Sequence, residues 1–207
     1  MALMNEQVKA ITNWLGTGSI DLFGCPFSGK DTQGRILADL FDGVLIAGGD
    51  ILRTHHDPEK IKQILASGGI VPSDFYENLV LPYLSRPEYS RKPLILSAVG
   101  RAHGEEPIVM KAAASSGHPL QAVIMLDLPE TEVWHRFETA QAQHDRGQRS
   151  DDRQSVLDTR LQKFNTKTQP VIEFYRDKGL LITVDGALSR DAVTSEILNS
   201  LLKLSAS

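Results

Sequence analysis

One cysteine, Cys25, stands in a chain of 207 residues. An intrachain disulfide cannot form, and a zinc site built from several cysteines is excluded. No apolar run reaches the roughly 20 residues that a membrane helix needs, so no membrane partner is expected. A basic surplus is missing as well. Lys and Arg number 22 against 26 Asp and Glu, a net charge of −4. That balance argues against nucleic acid as a partner. The N-terminus carries Glu6 and has no basic start followed by an apolar block. No secretory signal is expected, and a cytoplasmic protein is the default. None of the histidines pairs at i, i+4 with a further ligand, so a histidine metal centre is not expected either.

What remains is an ordinary globular composition, 41% hydrophobic and 23% charged, with length enough for one sizeable core. Val8, Ile11 and Leu15 recur at helical spacing within residues 4–15, and Gly16 and Gly18 follow. Short apolar runs then come at Ile20–Phe23, Val44–Ala47, Pro93–Ala98, Ala122–Leu126 and Leu180–Val184. Helical patterns separate them. Strands apolar on both faces, alternating with helices, predict a parallel sheet covered on both sides. Two polar stretches interrupt the alternation, at about 49–72 and 138–152. Both read as excursions over the carboxyl edge of the sheet, where open α/β sheets bind ligands. Residues 152–178 give a long helical pattern that Pro170 should kink or split, and a closing helix runs from Ser189 to Leu204.

The chemistry is concentrated in Ile20-Asp21-Leu22-Phe23-Gly24-Cys25-Pro26-Phe27-Ser28-Gly29-Lys30-Asp31-Thr32-Gln33. A strand enters a glycine-rich turn that opens a helix. Gly24, four residues, Gly29 and Lys30 form a phosphate-binding loop. Its glycines let backbone N–H groups wrap an anion, the helix N-terminus adds partial positive charge, and the lysine reaches the outer phosphates. The strict pattern wants Ser or Thr directly after the lysine. Asp31 stands there, and Thr32 comes next.

The run Gly24-Cys25-Pro26-Phe27-Ser28-Gly29-Lys30-Asp31-Thr32-Gln33 resembles the loop of adenylate kinases and related nucleoside monophosphate kinases, which carry glycine after the lysine and then the threonine. The likeness continues in order along nearly the whole chain. Gly49-Asp50-Ile51-Leu52-Arg53 resembles an element whose arginine binds the acceptor monophosphate, and Gly68-Gly69-Ile70-Val71-Pro72 one whose backbone meets the acceptor base. Ser97-Ala98-Val99-Gly100-Arg101 takes the place of an Asp-Gly-Phe-Pro-Arg element. Leu128-Pro129 and Arg136 resemble the turn and arginine against the donor adenine. Arg146, Arg149, Asp151, Asp152 and Arg160 resemble a mobile lid and the arginine after it. Val184-Asp185-Gly186 resembles the donor-base loop.

The resemblance implies a P-loop α/β/α fold with strand order 2-3-1-4-5. Residues 1–207 would form a single domain with an acceptor insertion and a short lid. It implies transfer of the terminal phosphoryl group of ATP, with Mg²⁺, to a nucleoside monophosphate, AMP by family, in a monomer without zinc. Lys30, Arg101, Arg149 and Arg160 would be catalytic. Gly24, Pro26, Ser28, Gly29, Asp31, Thr32, Arg136 and Gly186 would join Lys30 in binding ATP. Gly49, Asp50, Arg53, Gly69, Val71, Arg101 and Glu105 would hold the acceptor, and Thr32 and Asp31 the metal. Phosphoryl transfer is mostly positioning and charge neutralisation, which is why arginines gather.

Three departures mark this chain. Ser97 replaces an aspartate that holds the metal through water, while Asp31 adds an acid at the loop, or merely starts the helix, where negative charge is favourable. Ala140 replaces a further arginine, for which Arg146 is a candidate substitute. Glu105 stands where glutamine reads adenine, and a carboxylate accepts hydrogen bonds only unless protonated. Guanine and cytosine edges therefore stay open as acceptors. So do a kinase of another small acceptor and a sensor that binds ATP without transferring anything.

Overall fold

The computed structural model describes residues 2–54, 73–143 and 154–206. The apolar runs form strands β1 Ser19–Gly24, β2 Val44–Ala47, β3 Leu94–Ser97, β4 Leu120–Asp127 and β5 Leu181–Asp185. All pair in parallel, in the order β2-β3-β1-β4-β5, as the resemblance implied. Before β1 comes α1 Ala2–Leu15, and after it α2 Lys30–Leu40. The next helices are α3 Gly48–Arg53, α4 Ser73–Leu84, α5 Glu106–Ser115 and α6 Glu130–Gln143. The chain closes with α7 Gln154–Lys163, α8 Gln169–Asp177 and α9 Arg190–Ser205.

Side chains alternate across a strand, and both faces here are covered. Ile20 and Leu22 of β1 pack with Ile95, Ala122, Ile124 and Leu126 against α1, α2 and α9. Phe23 points the other way, into Val123, Met125 and the Val171, Ile172 and Tyr175 of α8. At the β2–β3 end, Ile46, Leu94 and Leu96 meet Ile51, Val80, Leu84 and Val109 of α3, α4 and α5. Among the described residues no helix is long and apolar enough to cross a membrane.

The elements differ from expectation at two places. β3 stops at Ser97, because Ala98 takes a left-handed φ of 51° that turns the chain out of the sheet. Residues 138–143, read as the start of an excursion, continue α6 as helix. A polar stretch is compatible with helix wherever an earlier turn is already anchored, here by Val133 and Phe137. Residues 144–153, the rest of that excursion, and 55–72 lie outside the described residues. As expected, the long helical pattern divides at Pro170: α7 gives way to a π turn at Phe164–Thr168, and α8 follows. Proline lacks an N–H and crowds the carbonyl four residues back, and a wider turn relieves that crowding.

Leu22 is fully buried in the central strand. Leu22→Ala should lower the unfolding free energy by about 3 kcal/mol in chemical denaturation. Leu188→Ala, at a residue 37% exposed, should change it by less than ~0.5 kcal/mol.

Candidate active site

The loop between β1 and α2 is shaped by two glycines for different reasons. A Cβ on Gly24 would lie 2.3 Å from the Ser28 hydroxyl, so the turn closes only over a bare backbone. Gly29 has open space around it but a φ of 89°, the left-handed residue that starts α2. The Gly29 carbonyl then accepts from the Thr32 and Gln33 N–H groups. Phe27 also sits at a positive φ, 65°. Strain of this kind persists where the surroundings over-determine the backbone. Ser28 is buried, and its hydroxyl has no hydrogen-bond partner among the described residues. It is a polar atom inside the curl of the loop, which suits a cradle for an anion.

Four charges converge beside the loop from three parts of the chain. Burial lowers the pKa of Lys30. The Asp31 carboxylate opposes that shift, while Arg160 of α7 and Arg101 beyond β3 push it further down. Three cations from separate parts of the chain are thus close enough to sense one another, an arrangement that repels itself unless an anion lies between them. Asp31 in turn accepts a hydrogen bond of 2.6 Å from the Ser97 hydroxyl. The two departures seen in the sequence are therefore in direct contact across the ends of β1 and β3. Burial in the same loop pushes the Cys25 thiol up to about 11, which disfavours the thiolate near neutral pH.

Arg136 of α6 is placed by Glu132, one turn back, at 2.9 Å. Its other nitrogens donate to the Phe27 carbonyl at 3.2 Å and the Gly186 carbonyl at 2.8 Å. This arginine straps the phosphate loop to the turn after β5. Gly186 is needed for that turn, since a Cβ would lie 2.8 Å from the Asp127 carbonyl. Gln33 points away from the loop, donating to the Arg190 carbonyl and accepting from Thr194 of α9.

On the other side of the sheet edge, Asp50 accepts from the Ala47 N–H at 3.2 Å and starts α3, which Arg53 closes. Gly48 lies so close to the turn after β3 that a Cβ would stand 2.6 Å from the Ala98 carbonyl. Arg101 occupies that turn, its carbonyl accepting from Thr168 of the π turn at 2.9 Å. Glu105 is buried, accepting from the Ala102 N–H at 3.0 Å. Gly69, Val71, Arg146, Arg149, Asp151 and Asp152 lie outside the described residues. The sequence reading passed over Asp21, which is fully buried in β1 and accepts from the Val99 N–H at 3.4 Å. The signal was a carboxylate inside an apolar run that should be covered on both faces.

Burial pushes the Glu105 carboxyl up to about 7, against the opposing pull of the Ala102 N–H and Arg101. A raised carboxyl stabilises the fold fully below its unfolded pKa and loses that contribution as pH rises through the folded one. Wild type should therefore lose on the order of 2 kcal/mol relative to Glu105→Gln between about pH 4.5 and 7. Denaturant titrations of both proteins across that range check it.

The family model for adenylate kinase matches residues 22–180 of this chain. An adenylate kinase of Parvibaculum lavamentivorans is 32% identical over 181 residues, covering 85% of this chain and 88% of its own. One from Kosmotoga olearia is 30% identical over 215 residues, 90% of this chain and all of its own. One from Nitrobacter winogradskyi is 32% identical over 184 residues, 85% and 89%. Phosphate loop, strand order and converging cations agree with these likenesses: the chain is a nucleoside monophosphate kinase and belongs to the adenylate kinase family.

Proposed function

We propose that the protein transfers the terminal phosphoryl group of ATP to AMP, giving two molecules of ADP, as a cytoplasmic monomer. The convergence of Lys30, Arg101 and Arg160 beside the phosphate loop carries this reading. The loop N–H groups from Gly24 to Thr32, with Pro26, Ser28 and Gly29 shaping the turn, cradle the donor phosphates, and Lys30 meets the transferring group. Arg136 and Gly186 border the donor base. Gly49, Asp50, Arg53, Gly69, Val71 and Arg101 form the acceptor side. Arg149 and Arg160, with Arg146, Asp151 and Asp152 in the lid, close over the phosphates and exclude water that would hydrolyse ATP. Transfer then needs little covalent work from the protein. The two nucleotides are held in line, and the charge that spreads over the moving oxygens meets three or more fixed cations.

Glu105 is compatible with AMP as the acceptor. An ionised carboxyl could not give the donor that adenine N1 needs, but a carboxyl with a pKa near 7 is protonated in a large part of the population at neutral pH. In that form it offers a donor and an acceptor, as a glutamine does.

The donor set also fits Mg²⁺. The Thr32 hydroxyl follows the loop, and Asp31 and Ser97 bring a carboxylate and a hydroxyl together at 2.6 Å. These are hard oxygens, and among the described residues no group of three metal-ligating side chains competes for the ion. Magnesium is typically held in this way, by one or two carboxylates or hydroxyls, water and substrate phosphates. Bound there with the nucleotide, it would neutralise developing charge on the β- and γ-phosphates. Thr32 and Asp31 would hold it, and the Ser97 hydroxyl orients the Asp31 carboxylate.

Turnover coupled to ADP formation, with AMP, GMP, CMP, UMP and dTMP in turn, tests the reading. AMP should give the highest kcat/KM, and Lys30→Met should reduce it at least ~10³-fold. ATP binding without diphosphate from any acceptor would sink it. The role of Asp31 is tested separately: Asp31→Gly should raise the magnesium concentration needed for half-maximal activity roughly tenfold and weaken Mg²⁺-dependent ATP binding alongside. An unchanged magnesium requirement leaves Asp31 as a helix-starting residue only.

A further inference from the structure

Between β3 and α5 the chain runs through three left-handed conformations: Ala98 at φ 51°, Gly100 at 74° and Gly104 at 95°. The ladder holds only its start, where the Ala98 N–H donates to the Leu22 carbonyl of β1 at 3.0 Å. Beyond it, three buried acids fasten the loop. Glu105 accepts from the Ala102 N–H at 3.0 Å, and Glu106 from the Gly104 N–H at 2.6 Å and from His103 Nδ1 at 2.9 Å. Those two are local to the turn. The third, Asp21, comes from β1 and meets the Val99 N–H from beneath. From the opposite side the π turn fastens the loop through the Thr168 hydroxyl on the Arg101 carbonyl and the His103 N–H on the Lys167 carbonyl. Gly100 and Arg101 lie between these fastenings.

A carboxyl in the middle of a strand covered on both faces is costly, and an aliphatic residue would suit the position better for stability alone. Its second oxygen, Oδ2, and the Tyr175 hydroxyl of α8 both lie buried with no hydrogen-bond partner among the described residues. A group kept at such a cost, with one bond reaching an active-site loop, is better explained by what it holds than by what it stabilises. We propose that Asp21 is a positioning residue for the acceptor side: it anchors Val99 so that Arg101, two residues on, is presented to the acceptor phosphate. The proposal rests on the reading of Arg101 as part of the acceptor clamp.

The charge state of Asp21 gives the proposal a sharp test. Burial holds its carboxyl well above the usual range, against the N–H groups of Val99, Ala98 and Leu22. Tyr175 faces the same interior from α8, and Glu105 and Glu106 add negative charge to it from the loop. The neutral acid is therefore the favoured form, and an amide of the same shape reproduces it. Asparagine keeps an oxygen for the Val99 N–H, and valine removes it.

Equilibrium binding of AMP and of ATP by Asp21→Asn and Asp21→Val, together with hydrogen exchange at the Val99 amide, decides the matter. The valine variant should bind AMP about tenfold more weakly, bind ATP within twofold of wild type and exchange the Val99 amide faster. The asparagine variant should keep both affinities within about threefold. Wild-type AMP affinity in the valine variant, equal losses for AMP and ATP, or an asparagine variant as weak as the valine one would each overturn the proposal. Should the valine variant not fold, the asparagine variant still decides: lost Val99 protection with intact AMP affinity overturns it, and protection and affinity retained together support it. A wild-type protein that binds ATP but no AMP overturns the acceptor reading itself, a result distinct from AMP binding that the substitutions leave untouched.

Discussion

Parallel pairing on both edges and helices on both faces leave β1 no room to move, and the phosphate loop is hung from its carboxyl end. Its partners β3 and β4 run in the same direction with fixed register. The three strand ends therefore open onto one edge. The phosphate loop leaves β1 there, Ser97 and the Arg101 turn leave β3, and the Asp127–Pro129 turn that leads to Arg136 leaves β4. Position is set by the sheet, so the loops need to supply only curvature. Glycines and left-handed residues provide it: Gly29, Phe27, Ala98 and Gly100 all lie within a few residues of a strand end.

Charge is the second organising fact. A loop that receives phosphates normally avoids carboxylates, because the two repel. Here Asp31 lies inside that loop. Two circumstances make it tolerable. It starts α2, where the partial positive charge of the helix end favours an anion, and it faces Lys30, which it helps to keep protonated. Its bond to Ser97 adds a third meaning. Relative to the family pattern an acid has crossed from the end of β3 to the first turn of α2, and the 2.6 Å contact shows that both positions reach the same point. An ion bound there would meet much the same surroundings whichever side supplied the carboxylate.

The sequence made the sheet legible because each strand is apolar on both faces and bounded by turn residues. Val44–Ala47 is recovered without error, and the others to within two residues at either end. The loop was legible because its glycines, lysine and helix occur consecutively. What stayed hidden was convergence. The resemblance puts Arg136 near the donor, but its bonds to the Phe27 and Gly186 carbonyls join segments 109 and 50 residues away. No local pattern carries that information. Asp21 was hidden for the opposite reason. It lies in the middle of the most conspicuous motif, and an apolar run reads as core even where one member is charged. Residues 138–143 misled because polarity marks exposure, and an exposed stretch is as compatible with a helix as with a loop.

The contact between Gly48 and the Ala98 carbonyl has a consequence for how such a chain can change over time. The end of β2 and the turn after β3 touch through bare backbone, 2.6 Å from where a side chain would begin. Any side chain at 48 is tied to the turn at 98 in this chain. A methyl at 48 needs the turn to retreat, and the turn at 98 is held by the left-handed alanine and its neighbours. A side chain at 48 therefore comes only with a shift of the backbone after β3 or with strain. Grafting the acceptor site of a relative onto this scaffold one residue at a time would meet the same barrier.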